Sequence, residues 1–524
     1  MTEARLSELG ALLHRRGLLT SDPLPAHETE VDPAIGAIRY DSRQVAPGDL
    51  FVARRGQHAD GHDHVPDAVA AGAAAVLVER PVPGLSVPEL VTCDARVALG
   101  VAASWRAGDP SHELGVVGIT GTDGKTTTAY LVRALLEDAG RPAGLLGTTD
   151  VIVAGQGQGN AARTSTPEAP ELQAHLAAML AAGDRWAVVE STSHGLAQQR
   201  VRGTAYDVAV LTNITSEHLE FHGTLDAYRA AKRSLFSRLA VDDENPDKGF
   251  GKHAVINADD PEGASCAAVA AHASARVIRY GLAGDLGPRD AGELDITATG
   301  VTETPSGMRI AMRTAGWQGT VPLRLAGRFN VANALAAMGV ALALGLDPDD
   351  AAAGLGALPS VPGRMQRIDE GQDFSVVIDY AHTAESLAKV LDELEPTDPH
   401  AGLVAVFGSA GDRDPSKREP MGRVAGERAR VVILTDEDPR SEDRGVILDA
   451  IARGAEAAGK RRGEDLLIVP DRAAAIAEAM RQARPGEAVL LAGKGHEKTI
   501  ETAVGETPWD EEAAARDALR AIGC

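Results

Sequence analysis

The sequence of 524 residues contains few cysteines, few aromatic residues and no long uncharged apolar run. Its cysteines, Cys93, Cys266 and Cys524, show no paired spacing, which excludes a disulfide framework and a cysteine-based zinc ribbon. A membrane-spanning helix needs about 18 apolar residues, so none is predicted. The N-terminal segment contains acidic residues and lacks the apolar core of a secretion signal. We therefore expect a cytoplasmic protein.

Positive charge is also scarce. The chain has 52 Lys and Arg against 75 Asp and Glu, which gives a formal net charge of −23. Such an acidic protein is not expected to bind nucleic acid or to insert into a membrane, although a local loop can still bind an anionic nucleotide. With 44% hydrophobic and 24% charged residues, the chain can bury large cores. We expect an enzyme that acts on small molecules as a monomer.

The length and the order of apolar runs predict an α/β protein with three domains. The predicted domains are residues 1–108, 109–358 and 359–524. In the third domain, strands alternate with helical stretches, which predicts a Rossmann-like parallel sheet with helices on both faces. Its predicted strands are Ser375–Ile378, Leu403–Phe407, Val431–Leu434, Leu466–Val469 and Ala488–Leu491.

The most informative segment is a glycine-rich loop between an apolar run, Leu114–Ile119, and a helix-favouring run, Ala129–Ala139. A strand, a glycine-rich turn, Lys-Thr and a helix make up a phosphate-binding loop. Backbone N–H groups and the helix N-terminus hold phosphates, while the lysine reaches the outer phosphates and the next hydroxyl holds Mg²⁺. We therefore predict ATP or GTP as the ligand of a loop formed by Gly121, Thr122, Asp123, Gly124, Lys125, Thr126 and Thr127.

Charged and polar residues follow four of the strands predicted in the third domain. Ligands of open α/β sheets bind beyond the carboxyl ends of the strands, so this edge is predicted to carry a second site. The segments concerned are Asp379–His382, Gly411–Arg413, Asp436–Arg440 and Gly493–Glu497.

Together these motifs resemble those of the Mur ligases, the ATP-dependent enzymes that build the peptide of bacterial cell-wall precursors. The phosphate loop is similar to theirs, with Asp123 where Asn is usual. The segments similar to general motifs of the family are Gly327–Ala334, Asp379–Thr383 and Gly411–Asp414. Those that indicate the MurE type are Tyr40–Arg43, Glu190–Leu196 and Glu437–Arg440.

The resemblance implies a central phosphate-loop ATPase domain and an ATP- and Mg²⁺-dependent ligase. Such a ligase joins a diamino acid to UDP-N-acetylmuramoyl-L-alanyl-D-glutamate through an acyl phosphate on the D-glutamate. The catalytic residues it implies are Lys125, Glu190, His218 and Lys232, the last carried as a carbamate. The metal ligands it implies are Thr126, Glu190, His218 and that carbamate.

The resemblance also implies three groups of binding residues. Besides the loop, the ATP group contains Asn330, Arg364, Asp379 and His382. The group for the uridine-diphosphate substrate contains Tyr40, Ser42, Gln57, His58, Ala59, Ser165, Thr166, Ser193, Gln198 and Arg200. The amino-acid group contains Arg413, Glu437, Asp438, Pro439, Arg440, Gly493 and Glu497.

Two residues of the amino-acid group give conflicting indications about the amino acid. Arg440 is typical of the members that add diaminopimelate, and an arginine fork suits a distal carboxylate. Asp438 stands where a neutral Asn is usual, and its extra charge favours a bare distal ammonium, as in lysine or ornithine. We lean to meso-2,6-diaminopimelate and keep lysine or ornithine as the alternative.

Two other functions fit parts of the sequence. A folylpolyglutamate-synthetase-like ligase has the same fold, but that family does not normally carry the Asp-Pro-Arg and Gly-Lys-Gly-His-Glu motifs or the uridine-binding domain. A nucleotide-binding scaffold without ligase activity is disfavoured by the retained Lys125, Glu190 and Lys232. ATP hydrolysis that depends on the muramoyl dipeptide would distinguish these functions.

Overall fold

The structure is a computed structural model, which describes residues 4–20, 32–56, 59–159, 164–215, 217–287, 289, 291–304, 307–395 and 401–523. By contacts the chain divides into two compact units. Unit 1 comprises Met1–Gly300, Ala311–Val321 and Ala332–Leu355, and unit 2 comprises Val301–Ile310, Pro322–Val331 and Gly356–Cys524. Gln57 and His58, predicted to bind the uridine diphosphate, lie outside the described residues.

The N-terminal part of unit 1 is a small parallel sheet with helices. Its elements are α1 (Leu6–Arg15), β1 (Ile38–Arg39), β2 (Leu50–Val52), α2 (Val65–Ala70), β3 (Ala75–Val78), β4 (Glu89–Val91) and α3 (Ala95–Ala107). The strands lie in the order β1-β2-β3-β4, and each pair is parallel. Asp94 caps α3 by accepting two backbone N–H groups, and Gly108 ends it in a left-handed conformation.

The central part contains the large sheet. Its elements from β5 to α7 are β5 (Gly115–Thr120), α4 (Lys125–Asp138), β6 (Ala143–Leu146), β7 (Val151–Val153), β8 (Gln156–Gly157), α5 (Ala169–Ala182), β9 (Trp186–Glu190), α6 (Ser193–Ala197), β10 (Val208–Leu211) and α7 (Leu219–His222). It continues with α8 (Leu225–Ser237), β11 (His253–Asn257), α9 (Gly263–His272), β12 (Arg276–Leu282), β13 (Ile296–Thr304), β14 (Gly307–Thr314), β15 (Gln318–Leu323), α10 (Asn330–Ala343) and α11 (Pro348–Ala357).

Strand β5 lies within this sheet, in the order β12-β11-β10-β5-β9-β6. All of these neighbours pair in parallel. Every residue of β5 is buried, as expected for a strand covered on both faces. The carboxyl ends of β5, β9 and β10 therefore lie at one edge of the sheet, where the predicted phosphate loop begins.

Unit 2 contains the second α/β sheet. Its elements are β16 (Gln366–Ile368), β17 (Ser375–Asp379), α12 (Ala384–Glu393), β18 (Leu403–Phe407), α13 (Arg418–Arg428), β19 (Val431–Leu434), α14 (Arg444–Ala457), β20 (Leu466–Ile468), α15 (Arg472–Gln482), β21 (Ala488–Ala492), β22 (Thr499–Thr502), β23 (Gly505–Pro508) and α16 (Glu511–Ala521). The order is β16-β17-β21-β18-β19-β20. Only β16 pairs antiparallel in this sheet as described.

Apolar residues alternate between the two faces of this sheet. Val377 packs in one core with residues of α12, α13 and α14, such as Leu391. Its neighbour Ile378 packs in the other core with residues of α15 and α16, such as Ile476 and Leu519. This confirms the predicted Rossmann-like parallel sheet with helices on both faces.

The structure refines the predicted elements in a few places. The helix after the phosphate loop begins at Lys125 rather than near Ala129, so Lys125 and Thr126 lie in its first turn. Helix α1 and the β22–β23 hairpin were not predicted. Across the described residues, each helix is too short or too polar to cross a membrane. The domain boundaries after residues 108 and 358 stay predictions.

Candidate active site

Two glycines shape the loop after β5. Gly121 has a backbone φ of 157° and Gly124 one of 81°, values that residues with a side chain rarely adopt. A Cβ atom at Gly121 would lie 1.8 Å from Oγ1 of Thr212, and one at Gly124 would lie 2.3 Å from Oδ1 of Asn333. Gly124 is also the N-cap residue of α4, and a glycine has no side chain to cap a helix. The first N–H groups of α4 are therefore available to a ligand, and the helix N-terminus favours an anion.

Residues that follow β10 hold the loop in place. The N–H of Thr122 donates to the carbonyl of Asn213 at 2.7 Å, and the N–H of Asp123 donates to Oδ1 of Asn213 at 2.9 Å. The hydroxyl of Thr212 donates to the carbonyl of Asp123 at 2.6 Å. The last two of these bonds use the backbone of Asp123, and the residue is exposed. The loop is thus held to the residues after β10 through its backbone.

Two lysine amines meet at one carbonyl of the loop. Nζ of Lys125 donates to the carbonyls of Gly121 at 2.9 Å and Thr122 at 2.7 Å. Nζ of Lys232, from α8, donates to the same carbonyl of Gly121 at 2.5 Å. Lys232 is only 2% exposed, and burial together with the charge of Lys125 lowers its pKa well below the ordinary value. The ammonium of Lys125 and the N-terminus of α4 therefore favour an anion at this site.

The surroundings of Lys232 are consistent with its predicted carbamate. Its Nζ lies 4.5 Å from the centre of the Tyr228 ring, and the Tyr228 hydroxyl lies 2.8 Å from that of Thr122. These contacts fix the amine beside the loop. A carbamate forms from a neutral amine, and the lowered pKa of Lys232 favours that form. The carbamate itself stays a prediction.

Glu190 ends β9 with a fully buried side chain, 0% exposed. Its Oε2 accepts hydrogen bonds from the hydroxyls of Thr126 at 3.1 Å and Thr148 at 3.0 Å, and its Oε1 accepts the N–H of Thr148 at 3.0 Å. Mg²⁺ prefers oxygen ligands and retains several waters, so the Thr126 hydroxyl and the Glu190 carboxylate fit this ion. No three His, Cys, Asp or Glu side chains form a metal-binding group in the described parts of the chain, so the fit rests on this pair.

His218 belongs to a cluster of rings around α7. Its backbone φ is 56°, and its ring centre lies 4.6 Å from that of His194. The His194 ring also lies 4.2 Å from Phe221 and 5.5 Å from His222. Burial and the two other histidines lower the pKa of His194 to about 4, so this ring is neutral at neutral pH. Nδ1 of His218 lies 3.4 Å from Glu220, and its role as a metal ligand stays a prediction.

Several residues predicted for the uridine-diphosphate group meet where the N-terminal sheet approaches α5. The Tyr40 hydroxyl donates to Glu171 at 3.0 Å, and the Arg54 guanidinium lies 4.3 Å from the centre of the Tyr40 ring. Glu168 forms ion pairs with Arg54 at 2.7 Å and with Arg200 at 3.1 Å. Burial and Glu171 raise the pKa of Tyr40. The two arginines would bind a diphosphate or a carboxylate in exchange for their present pairing with Glu168.

Thr166 connects this cluster to the end of β9. Its hydroxyl donates to the carbonyl of Glu190 at 2.8 Å and accepts the N–H of Thr192 at 3.0 Å. Nη1 of Arg200 donates to the carbonyl of Thr166 at 3.0 Å, and its Nη2 donates to Oε1 of Gln198 at 2.8 Å. One hydrogen-bonded cluster thus contains Thr166, Gln198 and Arg200. All three are far from Tyr40 in sequence.

The other residues predicted for this group lie in three places. The hydroxyl oxygens of Ser165 and Thr148 lie 2.7 Å apart, which brings Ser165 close to Glu190. Ser193 is buried at the start of α6. Ser42 lies in the short turn after β1, and Ala59 lies in the loop after β2.

In unit 2, Asp379 ends β17 with a buried carboxylate. It accepts the N–H groups of Met365 and Ala381, each at 2.8 Å. Burial raises its pKa, and the charge of Arg364 opposes that rise. The Arg364 guanidinium lies 4.8 Å from the centre of the Tyr380 ring. Two residues predicted for ATP, Arg364 and Asp379, therefore lie together.

The two remaining residues of the ATP group make local contacts within unit 2. Nδ1 of His382 lies 2.9 Å from the carbonyl of Tyr380. Asn330, at the start of α10, is 2% exposed, and its Nδ2 donates to the carbonyl of Ala326 at 2.6 Å. Their contact with a nucleotide stays a prediction.

Carboxylates crowd the carboxyl ends of β19 and β21. Lys494, 0% exposed, donates to Asp438 at 2.8 Å and to Glu497 at 2.5 Å. Glu437 is 7% exposed, and its Oε2 finds no hydrogen-bond partner within the described chain. That oxygen lies 3.3 Å from where a Cβ of Gly493 would stand. A buried acceptor without a donor is unfavourable, so Glu437 favours a ligand that brings an ammonium group.

Strand β22 holds Arg440 by both its backbone and its side chain. The N–H of Arg440 donates to the carbonyl of Glu501 at 3.0 Å, and its Nε donates to Oε2 of Glu501 at 2.9 Å. Its Nη1 donates to the carbonyl of Gly411 at 3.0 Å. A Cβ at Gly411 would lie 2.1 Å from the carbonyl of Pro439, so glycine is required there. Arg413 is exposed. We name the following four residues the strand-end carboxylates: Glu437, Asp438, Glu497 and Glu501.

Arg472 joins the ends of the two strands. Its buried guanidinium donates to the carbonyls of Asp436 at 3.0 Å and Ala492 at 2.8 Å, the residues directly before two predicted site residues. It also donates to both oxygens of Glu511 at 2.6 and 2.8 Å. Glu511 in turn accepts the indole N–H of Trp509 at 2.6 Å. This network fixes the spacing between the two strand ends that carry the amino-acid group.

Known protein families match the chain in three successive segments. They are described as "Mur ligase family, catalytic domain" at residues 34–98, "Mur ligase middle domain" at 119–341 and "Mur ligase, glutamate ligase domain" at 363–495. A protein of Roseiflexus sp. (strain RS-1), named UDP-N-acetylmuramyl-tripeptide synthetase, is 46% identical over 509 residues, which cover 95% of this chain and 97% of that protein. The chain belongs to the Mur ligase family.

Further relatives resemble this Mur ligase over nearly its full length. A protein of Geobacillus kaustophilus (strain HTA426), named UDP-N-acetylmuramoyl-L-alanyl-D-glutamate--2,6-diaminopimelate ligase, is 39% identical and covers 94% of this chain and 96% of its own length. A solved structure of a ligase with that name has a TM-score of 0.65 and 30% identity, over 95% of this chain and 98% of its own. These matches confirm the predicted three-domain architecture, the ligase class and the MurE type.

Several residues of this Mur ligase that contact the predicted ones were missed by the sequence analysis. Thr148 follows the parallel strand β6, so the rule that placed ligands at strand ends could have found it. The others act through tertiary contacts that no local pattern indicates. They are Arg54, Glu168, Arg472 and Glu501.

Proposed function

We propose that this Mur ligase uses ATP to join a diamino acid to the D-glutamate of UDP-N-acetylmuramoyl-L-alanyl-D-glutamate, a step of peptidoglycan precursor synthesis. The observation that carries the proposal is the position of the Lys125 amine at the carbonyls of Gly121 and Thr122, beside the glycine-capped N-terminus of α4. A carboxylate that attacks a phosphate brings two anions together, and fixed cations reduce their repulsion. At the loop, the ammonium of Lys125 is already in place.

The proposed reaction has two steps. In the first, a side-chain carboxylate oxygen of the D-glutamate attacks the γ-phosphorus of ATP, the bond from that phosphorus to the β-phosphate oxygen breaks, and ADP leaves. In the second, the amine of the incoming amino acid attacks the acyl carbon, the bond from that carbon to the phosphate oxygen breaks, and phosphate leaves while the amine loses a proton. Since an acyl phosphate hydrolyses in water, the site has to exclude solvent during both steps.

The residues around the loop have distinct proposed roles. The N–H groups of the loop and Nζ of Lys125 bind the phosphates. Thr126 and Glu190 would hold Mg²⁺, which when bound neutralises phosphate oxygens. Thr148 orients Glu190 through its two hydrogen bonds. His218 and a carbamate at Lys232 are proposed as further metal ligands on the family resemblance.

The uridine-diphosphate substrate is proposed to bind at the cluster of Tyr40, Thr166, Gln198 and Arg200. The side chains of Arg54 and Arg200 support this, because they bring two guanidinium groups to one carboxylate, Glu168. Planar N–H forks suit the oxygens of a diphosphate or of a carboxylate.

The amino acid is proposed to bind at the group predicted from the sequence, which includes Glu437, Asp438, Arg440 and Glu497. Arg440 supports meso-2,6-diaminopimelate, the choice that the sequence favours, and the name of the Geobacillus relative specifies that amino acid. Lysine or ornithine is the second candidate. Asp438 supports it because an additional carboxylate favours a distal ammonium over a distal zwitterion.

A product assay tests the proposed function. The purified protein is incubated with the muramoyl dipeptide nucleotide, ATP, Mg²⁺ and one of the three diamino acids, and the product is identified by mass. We expect a tripeptide product and phosphate release that requires the dipeptide nucleotide. Phosphate release that ignores the dipeptide nucleotide, or no tripeptide with any diamino acid, would rule the proposal out.

A further inference from the structure

The strand-end carboxylates outnumber the cations beside them. Asp438 and Glu497 both bind the ammonium of Lys494, and Glu501 pairs with Arg440. Glu437 keeps one buried oxygen without a partner among the described residues. The charge of Arg472 also reaches Glu437 and Glu497, but Arg472 is paired with Glu511. An incoming ammonium would therefore find a favourable negative environment among these described residues.

Arg440 already has partners within the protein. Its Nε donates to Glu501 and its Nη1 donates to the carbonyl of Gly411. A guanidinium binds a carboxylate best through a pair of adjacent N–H groups, either Nε with Nη2 or Nη1 with Nη2. Each of these pairs includes a nitrogen that is already engaged. The sequence links Arg440 to a distal carboxylate of the substrate, but in this structure both of its N–H pairs are partly used by the protein.

The contact between Glu501 and Arg440 is built into the backbone. The two residues are joined by the hydrogen bond from the N–H of Arg440 to the carbonyl of Glu501, and Arg440 forms a bridge with Thr502 of the same strand. The N–H of Glu501 donates to Oδ1 of Asp438 at 2.9 Å. Because β22 is tied to both Asp438 and Arg440, the Glu501 carboxylate is held beside the guanidinium by the fold.

We propose that Glu501 is a positioning residue that sets the amino-acid selectivity by holding the guanidinium of Arg440. With Arg440 so engaged and Glu437 lacking a donor, the site prefers a diamino acid whose far end carries an ammonium and no carboxylate, such as lysine or ornithine. This preference is the reverse of the one that Arg440 alone indicates. The inference rests on the proposed ligase function and adds a residue outside its predicted site.

The test compares the wild type with Glu501→Gln in the product assay, with lysine, ornithine and meso-diaminopimelate in separate reactions. We expect the wild type to show the lower KM for lysine or ornithine. Glu501→Gln should move the ratio of kcat/KM towards diaminopimelate by about tenfold, mostly through KM, because the released guanidinium can bind the distal carboxylate. Glu501→Asp should restore part of the wild-type ratio.

Two controls separate this role from a structural one. Glu464→Gln removes an exposed carboxylate before β20, at the opposite edge of the same sheet, where it pairs with Arg461; its ratio should match the wild type. In an Arg440→Met background, Glu501→Gln should no longer change the ratio, because Glu501 acts through Arg440. Melting temperatures of all variants show whether each one is folded.

The outcomes distinguish the two proposals. If the wild type forms no tripeptide with any diamino acid, the proposed function fails and this inference fails with it. If the wild type is active but prefers diaminopimelate, or if Glu501→Gln leaves the substrate ratio within about twofold of the wild type, well below the expected tenfold change, only the inference is overturned.

Discussion

At the phosphate loop of unit 1, two lysine amines converge on the carbonyl of Gly121, whereas at the strand ends of unit 2 four carboxylates surround Lys494 and Arg440. Both sites lie at the carboxyl ends of parallel strands, so the fold provides the same kind of location in each unit. The charge placed there differs in sign. One location suits phosphates and a carboxylate, and the other suits an ammonium.

The two sites also differ in how their charges are held. At the loop, the amines bind backbone carbonyls and remain free to exchange those partners for a ligand. At the strand ends, Asp438 and Glu497 share the buried Lys494, and Arg472 is paired with Glu511. A buried charge that is paired within the protein holds its partner in a fixed position. A cation that binds only backbone carbonyls can instead bind an anionic group of a substrate.

The largest effect is expected from Arg472→Met in the saturated network. Both partners of the Arg472–Glu511 pair are buried, and breaking such a pair leaves an uncompensated charge that costs about 3–5 kcal/mol. The free energy of unfolding, measured with urea, should fall by that amount. A loss below about 1 kcal/mol, the range of exposed pairs, would show that the network does not hold the strand ends.

At the loop, Lys125→Met should affect activity rather than stability. Removal of a group that stabilises developing negative charge costs about 10²–10³ in kcat. Ligase turnover measures this, with the melting temperature as a check on folding. Lys389→Met, which removes an exposed lysine paired with Glu385 on α12, is the matched control and should keep wild-type turnover. Equal losses in both variants would contradict a specific role of Lys125.

The residue Thr148 tests the proposed metal pair at the same edge. Thr148→Val removes the hydroxyl that donates to Glu190, and loss of a group that orients a metal ligand typically costs about 10–100-fold in metal affinity. The Mg²⁺ concentration at half-maximal activity should rise accordingly. Thr149→Val changes the neighbouring hydroxyl, which bonds Tyr130 instead. The proposal fails if both variants need the same Mg²⁺ concentration as the wild type.

The smallest effect is expected at an exposed pair of unit 2. Glu419 and Arg453 lie 2.8 Å apart, with side chains 55% and 58% exposed. Solvent screens such a pair, so Glu419→Gln should change the free energy of unfolding by about 0–1 kcal/mol. A loss as large as that of Arg472→Met would contradict the distinction between buried and exposed pairs on which the comparison rests.

Much of the fold followed from local patterns. Apolar runs of four or five residues between helical stretches predicted β17, β18, β19, β20 and β21, because strands buried on both faces need continuous apolar sequence. The phosphate loop was predicted because its glycines and Lys-Thr have to be adjacent in sequence. Helix α1 and the β22–β23 hairpin escaped prediction, and the hairpin has no apolar alternation that would identify it.

The residues of the candidate site could be predicted from the sequence only where they belong to a recognisable motif or follow a predicted strand. The strand-end rule and the family resemblance placed Glu190, Asp379 and Glu437 correctly at the ends of strands. Neither indicated that Thr148 bonds Glu190 or that Glu168 binds both Arg54 and Arg200. Such partners come from different parts of the chain, and their contacts depend on how the elements pack.

The sequence by itself determined the family, the phosphate loop and the strand ends that carry the charged motifs, because each of these is written in consecutive residues. The tertiary structure decided which charges are neutralised and which await a ligand. Arg440 looks like a carboxylate-binding group in the sequence, yet β22 brings Glu501 to its Nε. A charge acts through the partners within a few ångströms of it, and 61 residues separate Arg440 from that partner along the chain.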